Sequence, residues 1–140
     1  MENKILESLL NADEGQTFET KRALKKPSEV LPTICAFANT DGGTFIYGIA
    51  DKKHAVGKER FTGIIEGGTN HEELLKLIAN NFTPPLPDIT SRCVDIVNTH
   101  GQNDRMLIIL VSPSKEVHSL MSGHTYVRRG SQNNLICLST

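Results

Sequence analysis

The sequence lacks any apolar run long enough to cross a bilayer. Its longest, Met106 to Val111, falls far short of the roughly 20 residues a helical span needs, and Leu135 to Leu138 is shorter still. The opening Met1-Glu2-Asn3-Lys4 lacks the basic, then apolar, then small-residue order of a secretory signal, so a cytoplasmic, intracellular location is expected. Low-complexity tracts are absent, and 38% hydrophobic with 22% charged residues is the balance of a chain that folds. Cysteine is scarce: Cys35, Cys93 and Cys137 are odd in number, each with an apolar neighbour, and neither pair as CxxC nor sit beside histidines. That is the pattern of packed, reduced thiols rather than of a zinc site. The five histidines, at 54, 71, 100, 118 and 124, show no ligand spacing. An excess of charge is missing too. With 15 Lys and Arg against 16 Asp and Glu the net charge is −1, so binding to nucleic acid has to come from a local patch. Finally, Gly43 with Gly48, and Gly63 with Gly68, have the glycine spacing of a P-loop, but Ile49 and Thr69 stand where its lysine must be. No ATP site is expected.

What is present fits one compact domain over residues 1–140, the usual size for a single core. Ile5, Leu6, Leu9 and Leu10 recur at helical spacing and predict a short amphipathic helix over 2–11. Thr17 to Lys21 alternates as a strand, with Phe18 and Thr20 on one face and Thr17, Glu19 and Lys21 on the other. A second helix starts at or soon after Ser28, tolerates Pro32 in its first turn, buries Ile34, Cys35, Phe37 and Ala38, and ends at the paired glycines Gly42 and Gly43. Thr44 to Ile49 follows as a strand apolar enough for burial on both faces. Asn70 and Glu73 form a capping box for a third helix carrying Leu74, Leu75, Leu77, Ile78 and Phe82, which Pro84, Pro85 and Pro87 terminate. The remainder reads as strands: Ile89 to Val97, Met106 to Val111, Thr125 to Arg128 and Asn134 to Leu138, with a hairpin loop at Asn98 to Asp104. The fold class is α+β or mixed α/β, a mixed and mostly antiparallel sheet packed by about three helices.

Three stretches carry a resemblance. They are Glu19-Thr20-Lys21-Arg22, the run Ala36-Phe37-Ala38-Asn39-Thr40-Asp41-Gly42-Gly43-Thr44-Phe45-Ile46-Tyr47-Gly48-Ile49-Ala50-Asp51 with Gly57 beyond it, and Tyr126-Val127-Arg128-Arg129-Gly130-Ser131. Together they resemble the Schlafen AlbA_2 family over about residues 14 to 132, the central run being the specific part. The resemblance implies a nucleic-acid-binding domain. In animal Schlafen proteins two such lobes form an endoribonuclease acting on transfer and ribosomal RNA. Carried over residue by residue, its catalytic set implies Glu14, Glu19 and Asp51, with Lys21 beside them.

The residue types agree with that chemistry. Glu19 and Lys21 project from one strand face, and Asp51 lies at the end of another strand. Three carboxylates held close repel one another unless a divalent cation compensates them, and oxygen ligands suit Mg²⁺ or Mn²⁺. Lys21 is placed to stabilise transition-state charge. Three functions are therefore expected in order. The first is nucleic-acid binding, RNA or DNA, with Lys21, Arg22, Lys25, Arg128 and Arg129 on the phosphate backbone. The second is a metal-dependent endoribonuclease with Glu14, Glu19 and Asp51 as ligands. The third is a homodimerisation module in which Leu135 to Leu138 pairs with a second chain. The chain stops soon after the last motif, as a stand-alone domain or an excised fragment would.

Overall fold

The computed structural model describes Ser8 and residues 11–23, 26–87 and 89–136. Its centre is a four-stranded sheet of β1 (Phe18–Lys21), β2 (Gly43–Tyr47), β4 (Ile89–Val97) and β5 (Asn103–Val111), in the order β1-β2-β5-β4. The β1–β2 pair is parallel and the other two are antiparallel, which is the mixed, mostly antiparallel sheet the sequence predicts. Two short ladders complete the β structure: β3 (Phe82–Thr83) with β6 (Ser119–Leu120), and β7 (Thr125–Arg129) with β8 (Gln132–Ile136).

Two α-helices are described, α1 (Leu31–Ala38) and α2 (His71–Asn80). The helix expected over 2–11 lies outside the described residues except for Ser8 and Asn11, which are both helical. A single 3₁₀ turn, Pro27–Val30, precedes α1 and puts Pro32 in the first helical turn, where no intrahelical donor is needed. Asn70 caps α2 by accepting the Glu73 backbone NH at 2.9 Å, as its spacing predicts. The helix ends before Phe82 because Asn81 turns its side-chain amide back onto the Leu77 carbonyl, releasing Phe82 to strand β3.

Period-2 alternation divides the core in two. On one face of the sheet, Phe45, Tyr47, Leu107, Ile109 and Val111 pack with α1 and with Leu74 and Ile78 of α2. On the other, Ile46, Val94, Ile96 and Met106 pack with Ile49 and Phe61. β2 is thus apolar on both faces, as its sequence requires. Helix α1 is buried almost all round, because the β7–β8 hairpin packs against it as well as the sheet. Leu135 and Ile136, expected to pair with another chain, pair instead with Tyr126 and Thr125 of β7, and the rest of that segment lies outside the described residues. Of the cysteines, Cys35 is buried and Cys93 packs against the core from β4, whereas Cys137 lies outside the described residues.

The two glycines after α1 do different work. Gly42 takes φ +72°, and a Cβ there would meet the Val111 carbonyl oxygen at 2.6 Å. Gly43 has no unusual φ, but a Cβ would meet the Phe37 ring at 2.8 Å, so it serves close approach. Between the helix and these glycines, Asn39 fastens the hairpin. Its side-chain amide donates to the His118 carbonyl at 2.8 Å and the Tyr126 carbonyl at 2.9 Å, and its oxygen accepts the His118 backbone NH at 2.8 Å. Thr40 Oγ1 accepts the Arg128 NH at 2.9 Å. Asn39→Ala leaves three backbone groups short of a partner and should cost about 2–4 kcal/mol in urea unfolding. A loss under about 1 kcal/mol would show that water takes over these bonds.

Candidate nucleic-acid interface and acidic cleft

The loop 51–60 leaves the sheet after β2 and returns to it. Ile49 bridges Phe61, and Ala50 NH donates to the Arg60 carbonyl at 2.8 Å. Asp51 therefore stands four residues past the end of β2, across the cleft from residues 12–14. Its carboxylate accepts the Lys53 NH at 2.9 Å, a short side-chain turn that fixes it. Between this loop and residues 12–20 opens a cleft of about 380 Å³. Carboxylates of Asp13, Glu14 and Asp51 line it, as do the cations Lys52, Lys53 and Arg60 and the hydroxyl residues Thr20 and Ser131. Lys52 reaches Asp13 at 2.9 Å. Arg60 is 2% exposed, and its Nε donates to the Ala50 carbonyl at 2.8 Å. Burial pulls its pKa down while the charges of Asp51 and Glu14 push it back up.

Of the residues the sequence singles out, Glu14 and Asp51 line the cleft, and Glu19 adjoins it through Glu14. Glu14 Oε2 accepts the Thr20 amide at 2.9 Å and the Thr20 hydroxyl at 3.2 Å. Glu19 lies on the helix-side face of β1 and accepts from Arg128 Nη2 at 2.9 Å. Lys21 shares that face, opposite Tyr47. Arg22 is exposed and forms a two-point pair with Glu66 at 2.8 and 3.0 Å. Arg129 is exposed, and Lys25 lies outside the described residues.

Arg128 departs from the expectation that it meets phosphate. Its side chain is 0% exposed. Strand alternation turns Tyr126 and Arg128 inward together, leaving Arg129 outside. Nε and Nη2 donate to the Gly15 carbonyl at 3.0 and 2.8 Å, Nη2 also to the Phe18 carbonyl at 3.2 Å, and Nη1 to Asn133 Oδ1 at 2.7 Å. The guanidinium lies 5.0 Å from the Phe37 ring centroid. It holds the turn that carries Glu14, so it shapes the cleft from behind. The residues that sequence reasoning missed are Lys52, Lys53 and Arg60. A Lys pair directly after Asp51 was the available signal.

Burial, reinforced by hydrogen bonding to Glu14 and by its charge, pushes the Glu19 carboxyl from 4.5 up to about 7 against the pull of Arg128. On Glu14 burial also acts upward, but the bonds from Glu19 and from the amide and hydroxyl of Thr20 outweigh it and hold the group below the ordinary range. The two carboxyls are coupled, Glu19 holding its proton more tightly and Glu14 less tightly than a free glutamate. Carboxylate oxygens suit a hard divalent cation chemically. In this arrangement Glu19 is turned onto Arg128, and among the described residues no three His, Cys, Asp or Glu side chains stand together as a metal-ligating group.

The family model described as Schlafen, AlbA_2 matches residues 14–136. The chain belongs to that family. Membership points to a nucleic-acid-related function. Among solved structures the chain is similar to the DIP2311 protein from Corynebacterium diphtheriae, with 23% identity and a TM-score of 0.61. That match covers 94% of this chain and 25% of the other, so the likeness is one of fold, to about a quarter of a longer protein.

The raised Glu19 carboxyl sets a pH dependence. Unfolded, Glu19 titrates near its ordinary 4.5, whereas folded it keeps its proton to about 7. Between these values the folded state holds the extra proton, so stability falls as pH rises from 4.5 to 7, by on the order of 3 kcal/mol. In Glu19→Gln the amide NH₂ replaces the carboxyl OH toward Glu14 while the oxygen still accepts from Arg128. Urea unfolding at pH 5 and pH 8 should show the decline in the parent and a nearly flat profile in the variant. Equal slopes would assign the titration to another group.

Proposed function

We propose that this domain binds nucleic acid, with the phosphate backbone crossing the mouth of the cleft. The observation that carries the reading is the concentration of Lys52, Lys53 and Arg60 on one cleft wall in a chain whose net charge is −1. Cations grouped in this way can meet phosphates without an overall basic protein, even with three carboxylates on the same cleft. Lys21, Arg22 and Arg129, none of which lines the cleft, supply further phosphate contacts outside it, and Arg128 acts through the backbone it holds. Arg22 is already paired with Glu66, so it contributes by exchanging that carboxylate for phosphate. Binding to RNA, single-stranded DNA or duplex DNA should weaken steeply between about 50 and 200 mM salt. Lys52→Ala with Lys53→Ala should lower the log–log salt slope by about 2. Absence of salt-sensitive binding to all three polymers would overturn the reading.

A second reading is a divalent-metal-dependent endoribonuclease using Glu14, Glu19 and Asp51, with Mg²⁺ or Mn²⁺ as cofactor and Lys21 beside them. It is favoured by the placing of Glu14 and Asp51 on one cleft with Glu19 coupled to Glu14, because a cation relieves repulsion between neighbouring carboxylates. Such an ion would supply a polarised phosphodiester and an acidic bound water. Glu19 would have to leave Arg128 to join it. Transfer RNA incubated with Mn²⁺ should be cut by the parent and not by Glu19→Ala. Equal cleavage by both, or by neither, removes this reading while leaving the binding reading intact.

A further inference from the structure

The cleft holds three carboxylates beside its three cations, and a phosphate alone satisfies only half of such a wall. Asp51 and Asp13 each spend one oxygen on a lysine or its backbone NH, and a carboxylate has about four acceptor positions. What nucleic acid offers such acceptors is a hydroxyl or a base amino group. No aromatic side chain is among the described residues that line the cleft, so nothing there stacks a base. The sugar is left. At about 380 Å³ the cleft is at the small end of ligand pockets, room for one nucleotide unit rather than a duplex, whose major groove alone is about 12 Å wide. In an uncapped nucleic acid, two adjacent hydroxyl donors on a single sugar occur at one place, the 3′ end of RNA.

We propose that the cleft takes the 3′-terminal nucleotide of single-stranded RNA, its 2′,3′-cis-diol on Asp51 and Asp13 and its phosphate on Lys52 and Lys53. The inference rests on the nucleic-acid reading above and specifies its ligand. Thr20 and Ser131 border the same space with hydroxyls. Arg60 lies in the wall as a fixed positive charge held by the Ala50 carbonyl. A 3′-phosphate would set a second anion against the carboxylates, and a deoxy end would leave them unpaired.

The test is binding of one short RNA sequence with three ends, a cis-diol, a 3′-phosphate and a 2′-deoxy sugar, beside the same sequence as DNA and with AMP as competitor. The cis-diol RNA should bind about tenfold tighter than the other polymers. Asp51→Asn should shrink that ratio while leaving affinity for the 3′-phosphate RNA equal or higher, since a repelling charge is gone; a merely structural role would weaken every ligand together. Equal, salt-sensitive binding of all ends overturns this inference and spares the nucleic-acid reading. AMP competing as well as the RNA end overturns the polymer assignment. A ratio unchanged in Asp51→Asn removes the diol from this cleft. Binding by none of the polymers overturns both readings.

Discussion

A single buried guanidinium sets the geometry of this domain. Removing the Arg128 charge from water is tolerable only because each side of it is met: two backbone carbonyls of the entry loop and β1, the Glu19 carboxylate, the Asn133 amide oxygen, and the Phe37 ring. These partners come from the start of the described chain, from α1 and from the final hairpin. Satisfying one charge therefore fixes three distant segments at once. The entry loop is the part with consequences for the site, because the same turn directs Glu14 toward Thr20 and the cleft. Glu19 links the two environments, touching Arg128 on one side and Glu14 on the other.

This arrangement separates what identifies the chain from what gives it chemistry. None of residues 37–43 lines the cleft. Asn39 and Thr40 are spent on backbone groups of the 118 loop and β7, and Asp41 receives Gln16. Gln16 in turn bonds the Arg128 carbonyl and the Gly130 NH, so the helix end, the entry loop and the hairpin are laced together a second time. The segment acts as a fastener, and the cleft is what it holds in shape.

Much of the architecture was legible because it follows from periodicity. The two-faced apolar character of β2, the Asn70–Glu73 box and the glycine stop after α1 each have a local physical cause that survives into the structure. Glu14 and Asp51 were legible through resemblance, and both reach the cleft. The inward turn of Arg128 was not, because composition and charge both place arginine outside. Only the alternation with Tyr126, a residue that packs on the core, carried the signal. The pairing of Arg22 with Glu66 spans 44 positions, and the closure of the 51–60 loop under the cleft depends on a bridge between Ile49 and Phe61. Such contacts depend on the tertiary path of the chain, which local patterns do not encode.

The wide sequence separation within the Arg128 network also orders events during biosynthesis. Arg128 meets Gly15 across 113 positions, and Ser131 borders the cleft whose other walls come from residues 12–60. A ribosome-bound chain that has released the sheet and α1 has the acidic wall but lacks the cation that anchors its turn. Because contacts of this span form late, after the loop entropy between them has been overcome, the cleft takes its final shape when the hairpin of residues 125–136 docks. Until then, a nascent domain can be folded at its centre and still lack the finished cleft.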